Sequence, residues 1–249
     1  MNIRKTNERI SAFICGLLTL YIFLITSAQI VCFNVPDWWR NEYIKYNTTQ
    51  YVTGEMSLDD AVYVTEQMLE YCIGRLDSLD DVNATIDGTT SPFFTEREKL
   101  HLIDCRNIFL NALRFRSLSL IITTGLLFFL FFSIRKRNVN SSSSEFARLI
   151  SGGYLLALAV IIILAFIILI IGSINFTYLF TEFHELFFDN DLWILNPAVD
   201  NLVNIMQEQV FADTALLILK VFILISSLFA LTGLIVLKKT RSRSNHKRH

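Results

Sequence analysis

Charge is the first thing this sequence is short of. Only 18% of its 249 residues are Asp, Glu, Lys or Arg, against 53% hydrophobic side chains and 21 phenylalanines. That balance excludes an ordinary water-soluble domain and points to a hydrocarbon solvent. Histidine is scarcer still. Of four, His246 and His249 belong to a basic tail, which leaves His101 and His184 as the imidazoles elsewhere. The Gly-rich phosphate loop, HExxH, GxSxG and CxxC patterns are absent, and with them the standard motif-bearing soluble enzymes. No internal repeat is found either.

What the sequence has instead is long apolar runs. Crossing about 30 Å of hydrocarbon takes roughly 20 apolar helical residues, and only a helix or a closed barrel satisfies its own backbone there. Four segments qualify: residues 10–33, 117–134, 150–174 and 214–237. The first is too long for a cleaved signal, whose apolar region runs to about 15 residues. We read it as an anchor although Thr26, Ser27 and Ala28 are small. Ile30 and Val31 ahead of Cys32 are not the small residues of a lipoprotein attachment site.

Basic residues beside the spans set the expected orientation, because Lys and Arg resist translocation. Arg4, Lys5 and Arg9 precede the first span; Arg135, Lys136, Arg137 and Arg148 lie in the loop 135–149; six more follow residue 237. These 13 of the 22 basic residues predict a cytoplasmic face holding both termini. The acids, all but Glu8 and Glu145, fall in the outer loops 34–116 and 175–213. A net charge of −1 therefore conceals two opposite surfaces. The basic tail 238–249 reads as a topology anchor and a contact for anionic lipid, not as a nucleic-acid site. The expected fold is an all-α polytopic membrane protein, one membrane domain over residues 1–249, four spans, N-in and C-in, with interfacial helices and a few short strands outside.

In the first outer loop Ser57 caps a helix over about 58–76, with Asp60 at its third position and Ala61, Val64, Met68, Tyr71 and Cys72 at helical spacing. Asp87-Gly88 signals a turn, and residues 51–54 and 84–86 are candidate paired strands. Thr95 and Glu98 form a capping box opening a helix that runs on into the second span. The second outer loop groups Phe180, Phe183, Phe187 and Trp193, as at a headgroup interface. Asn196 and Pro197 then start a helix striped by Leu202, Ile205, Met206 and Val210.

His101 can be accompanied on one helix face by Arg97, Glu98, Asp104 and Cys105, and Asp104 can orient its ring as a carboxylate orients a catalytic imidazole. His184 lies close to Glu182 and Glu185 and one turn from Phe180 and Phe188, suited to act as acid, base or oxyanion donor. The bland alternative is that both are structural interfacial residues. A metal alternative joins the two histidines to Glu98, Asp104, Glu182 or Glu185. Cys72 and Cys105, both outside, are either a disulfide or two buried thiols. Lys220 reads as a snorkelling residue, Arg114 and Arg116 as interfacial anchors.

The stretches SPFFTEREKLHLIDCRNIF, FTEFHELFFDNDLWILNP and MLEYCIGRL resemble the lipoprotein intramolecular transacylases, the Lit family, over nearly the whole chain. The resemblance implies a bacterial cell-membrane enzyme that moves the sn-2 acyl chain of a diacylglyceryl-Cys lipoprotein onto the α-amino group of the same Cys. It implies lipoproteins and membrane lipid as partners, no cofactor, and an active site at the outer leaflet. His101 and His184 match the family's catalytic pair. With them we group Asp104, Glu98 and Glu185 as supporting residues, and Phe180, Phe187 and Trp193 as substrate-lining. The expected roles are His101 as general base with Asp104 behind it and His184 at the oxyanion or leaving group, or the reverse. Competing readings are a non-enzymatic accessory that binds lipid or lipoprotein, and a His/carboxylate metal-dependent membrane hydrolase.

Overall fold

The computed structural model describes residues 3–52, 54–137 and 142–246. Thr53, the tail residues Lys247, Arg248 and His249, and residues 138–141 of the loop 135–149 lie outside the described residues. The elements are α1 (Ile3–Asn34), α2 (Trp38–Tyr46), a 3-10 turn (Thr48–Tyr51), α3 (Leu58–Cys72), β1 (Asn83–Ile86), β2 (Thr89–Pro92), α4 (Glu96–Arg137), α5 (Ser142–Ile174), α6 (Phe176–Phe187), α7 (Leu202–Ile205) and α8 (Glu208–His246). Four helices, Arg4–Asn34, Glu96–Arg137, Ser143–Ile174 and Glu208–Thr240, are long and apolar enough to cross a membrane, with mean hydropathies of 2.1, 2.2, 3.5 and 2.4 over an 18-residue stretch of each. Each expected span falls inside one of them. Ile162, Ile163, Phe166 and Ile168 of α5 are exposed on the isolated chain, an arrangement that water would punish and lipid tails satisfy.

The chain forms two compact units. One comprises residues 1–28, 114–169 and 218–249. Its helices pack through small residues. A Cβ on Gly153 would lie 2.5 Å from the Ala12 backbone, and one on Gly16 would lie 2.9 Å from Ala157. Ala12 and Gly16, and Gly153 and Ala157, are thus facing pairs at four-residue spacing, which lets two backbones touch where lipid supplies no hydrophobic drive. At the ends of α1 and α4, Glu8 is 3% exposed, accepts from Arg137 at 2.9 Å and from the Ser133 hydroxyl at 3.0 Å, and faces Arg4 at 3.8 Å. A buried carboxylate with this many donors stays compensated.

The other unit comprises residues 29–113 and 170–217. Its core includes Trp39, Tyr43, Val64, Met68, Cys72, Phe93, Leu102, Ile205 and Val210. Tyr43, 1% exposed, shares a 2.5 Å hydrogen bond with Thr65. Helix α3 starts as expected, the Ser57 hydroxyl accepting from Asp60 N at 3.0 Å. It ends at Cys72 rather than residue 76: Gly74 adopts φ +80°, and Arg75 N and Leu76 N both turn back to Glu70 O.

The strands differ from expectation in their pairing. Residues 84–86 are extended, but their partner is β2, across the Asp87-Gly88 turn, in the register Ala84 with Ser91 and Ile86 with Thr89. A two-residue loop with both residues at positive φ, 51° and 74°, makes the nearest chain the partner. Tyr51 instead ends the 3-10 turn, and among the described residues of that stretch Met56 bridges to Ile86. The Asn196-Pro197 start also yields no long helix. Residues 196–200 turn under the Asp200 side chain, α7 spans one turn, and Val210 belongs to α8, because Met206 at φ −100°, ψ 60° breaks the run.

Candidate active site

His101 owes its position to the start of α4. The capping box closes in both directions: Thr95 N donates to Glu98 Oε2 at 2.6 Å, and Glu98 N donates to the Thr95 hydroxyl oxygen at 3.3 Å. Glu98 is fully buried, and its second oxygen accepts from Leu202 N at 2.5 Å. The Thr95 hydroxyl donates to Asp200 at 2.9 Å, and the other Asp200 oxygen accepts from Asn196 N at 2.8 Å. Burial pushes the Glu98 carboxyl above its ordinary value, opposed by the two backbone N–H groups. These bonds knot the helix start to the segment before α8. Glu98 is therefore consumed in positioning.

His184 is set by α6. That helix begins where the Asn175 side chain accepts from Tyr178 N at 2.9 Å, and its inner face delivers His184 with only 8% of its surface exposed. His101 is 7% exposed. The two rings lie with centroids 6.2 Å apart, tilted by 33°. Aromatic side chains close round them. Phe180 sits 4.1 Å from His184, Trp193 stacks on it at 4.9 Å and 29°, and Phe188 lies 5.0 Å from His101 and 5.5 Å from His184.

Hydrogen bonds fix one tautomer. His184 Nδ1 lies 2.7 Å from the Phe180 carbonyl, which can only accept, so Nδ1 carries the proton and Nε2 of the neutral ring is a bare lone pair. His101 Nε2 faces the Cys105 thiol at 3.5 Å, while its buried Nδ1 has no partner among the described residues. Both histidines lie outside the apolar runs, His101 about four helical turns before Ser117. His101 is lowered from 6.5 to about 4, chiefly by burial and also by the nearby His184 and Arg97, with Asp104 opposing. Burial also lowers His184, and its bond to the Phe180 carbonyl partly opposes this. Both rings are neutral at physiological pH. Cys105, its acidity suppressed by burial, remains a thiol.

The remaining expected residues are placed unevenly. Asp104 does not bond to His101; it accepts from the Asn190 amide at 2.9 Å. Glu182, Glu185 and Phe187 are exposed, and Phe187 packs on Phe183 at 4.7 Å instead of lining the pair. The metal alternative lacks a third ligand. Among the described residues no group of three or more His, Cys, Asp or Glu side chains is close enough to hold an ion. Cys72 and Cys105 are free thiols. Phe188, Asn190 and the Arg97 guanidinium contribute more than expected. Phe188 was legible only as the residue one turn beyond His184; the other two act through contacts about 90 residues away.

A helical membrane protein carrying two buried imidazoles among aromatic rings is the class that fold and site describe. The lipoprotein intramolecular transacylase Lit family model matches residues 13–211, and the chain belongs to that family. Among solved structures it is similar to the membrane integral lipoprotein intramolecular transacylase Lit from Bacillus cereus, at 18% identity and TM-score 0.72, covering 96% of this chain and 99% of that one. It is also similar to two variants of that enzyme with one histidine replaced. The arginine variant has 17% identity and TM-score 0.69 over 97% and 96%; the alanine variant has 18% and 0.68 over 96% and 98%. At these identities the likeness establishes the fold. No curated protein matches the chain.

Proposed function

We propose that this chain transfers the sn-2 acyl group of a diacylglyceryl-Cys lipoprotein to the α-amino group of the same Cys, by acid and base catalysis from His101 and His184. The observation that carries the reading is the enclosed pair of neutral imidazoles, one presenting a bare nitrogen and the other a nitrogen without a partner.

The chemistry needs the amine deprotonated, a tetrahedral oxyanion held, and the departing glycerol oxygen protonated. The hydrogen bonds favour the reverse of the first-named assignment. His184 Nε2, bare because Nδ1 is committed to the Phe180 carbonyl, takes the proton as the amine nitrogen bonds to the ester carbonyl carbon. The imidazolium then gives that proton to the glycerol oxygen as the ester C–O bond breaks. With Cys105 donating its thiol hydrogen to His101 Nε2, His101 Nδ1 carries a hydrogen and serves as the oxyanion donor. Donor ester and acceptor amine arrive in one molecule, so placement supplies much of the rate and no covalent enzyme nucleophile is needed.

The basic residues at both ends of the chain and in the loop 135–149 support an N-in, C-in orientation, with the pair at the outer leaflet and membrane lipid around the spans. The test is expression in a cell lacking other N-acylating enzymes, followed by mass spectrometry of a lipoprotein's N-terminal lipopeptide. Transfer leaves the mass unchanged and moves one acyl chain into the amine-containing fragments. His101→Gln and His184→Gln should each abolish that species while the protein still inserts; either variant retaining it would end the reading.

A further inference from the structure

With both histidines more than nine-tenths buried, a substrate bearing acyl chains reaches neither ring until something moves. The segment that lays Trp193 on His184 is residues 189–195, which is neither helix nor strand. Locally it is held by Leu192 N on the Asn190 side chain at 2.9 Å and Ile194 N on Asp191 O at 3.1 Å. Its ties to the rest of the site come from residues one turn either side of His101. Arg97 Nε donates to Ile194 O at 3.3 Å, and the same guanidinium donates to Asp191 O. Asp104 accepts from Asn190 at 2.9 Å. Between these clamps Trp193 is laid on His184. Leu195 anchors the end of the segment on the core, and the turn before it is fastened by a few exposed hydrogen bonds and one ring contact, the class of segment that opens locally while its scaffold stays folded.

We propose that Arg97 is a positioning residue of the transfer site: with the Asp104–Asn190 pair it holds residues 189–195 as a strap over the histidines, and the strap opens to admit substrate and shuts for transfer. The need for an acylated substrate to enter rests on the transacylase reading; the strap's control of access to the pair does not. Arg97 acts on His184 through Trp193, since the hydrogen bonds of its guanidinium go to the strap backbone; its charge is also felt directly by His101. Two donors of one planar group reach two carbonyls, a geometry an ammonium cannot reproduce.

The test joins the strap to its clamp in an Asp104→Cys, Asn190→Cys double variant, assayed oxidised and reduced. Two readouts are used: carbethoxylation of His101 and His184 by diethyl pyrocarbonate, followed by peptide mass spectrometry, and transfer on a synthetic diacylglyceryl-Cys peptide. Oxidation should slow both at least tenfold, with recovery on reduction and no effect on either single variant. Cross-linked protein that keeps both rates overturns the proposal. If wild type shows no transfer while carbethoxylation still obeys the cross-link, the transacylase reading fails and the strap stands. Should the double variant not fold, the Arg97 series decides. Arg97→Ala should raise His184 carbethoxylation severalfold and lower kcat more than it changes KM, with Arg97→Lys recovering only part. An Arg97→Ala protein with unchanged carbethoxylation and kcat overturns the role of Arg97.

Discussion

Acidifying the assay separates a histidine pair held neutral by its surroundings from one that titrates normally. In kcat/KM the relevant groups are those of the free enzyme and free substrate. The substrate amine, with an ordinary pKa of about 8, must be neutral to attack, so kcat/KM should fall about tenfold per pH unit below that value. His101, lowered to about 4 by burial and by His184, and His184, lowered by its own burial, should add no second slope between pH 8 and 6.5 or for some distance below it. At pH 5 the amine alone costs about a thousandfold. A histidine titrating at 6.5 would multiply that by roughly 30, and two would multiply it further. The assay is the initial rate of acyl migration in a diacylglyceryl-Cys peptide at limiting concentration, read by fragment ions from pH 4.5 to 9. A limb steepening to a hundredfold per unit just below 6.5 would refute the claim that burial holds the pair neutral.

Stability should follow the same sign. A folded-state pKa of about 4 against 6.5 unfolded means His101 contributes stability that is complete above 6.5 and is lost as pH falls toward 4; the difference corresponds to about 3 kcal/mol and is measurable as a falling melting temperature in detergent. Glu98→Ala should destabilise the protein by about 2–4 kcal/mol by stranding the buried Leu202 N–H and opening the cap, since both Glu98 oxygens accept from backbone N–H groups. Asp104→Asn should keep transfer within a few fold, because an amide oxygen can still accept from Asn190; a loss beyond a thousandfold would mean Asp104 acts directly on His101. Gly153→Leu should yield little folded protein in a membrane-extraction assay, since even a Cβ at 2.5 Å from the Ala12 backbone forces α1 and α5 apart.

Much of the architecture was open to reading because each signal was local. Hydropathy alone locates the four spans, since a hydrocarbon solvent leaves a chain so little choice. The Ser57 and Thr95 caps were legible for a similar reason: an N-cap and the residue three places on satisfy each other within one turn. The strand partner of residues 84–86 was misread because several extended segments offered themselves, and the positive φ of Asp87 and Gly88 settled the choice. The helix expected from Pro197 failed because Glu98 captured Leu202 N, a backbone donor that such a helix would have used internally.

Sequence by itself determined that this chain lives in a membrane, that its helix starts are capped where they are, and that two histidines stand apart from the basic tail. Those facts depend on residue type and on neighbours within a few positions. Only the tertiary structure decided that the rings meet 6.2 Å apart, that Trp193 stacks on His184, and that Asp104 serves Asn190 instead of His101. The first and last are contacts between residues more than 80 apart in the chain, and the second joins a helix to the irregular segment beyond it. Whether a carboxylate orients an imidazole or clamps a strap depends on which partner folding brings within 3 Å, and no spacing along the sequence carries that distance.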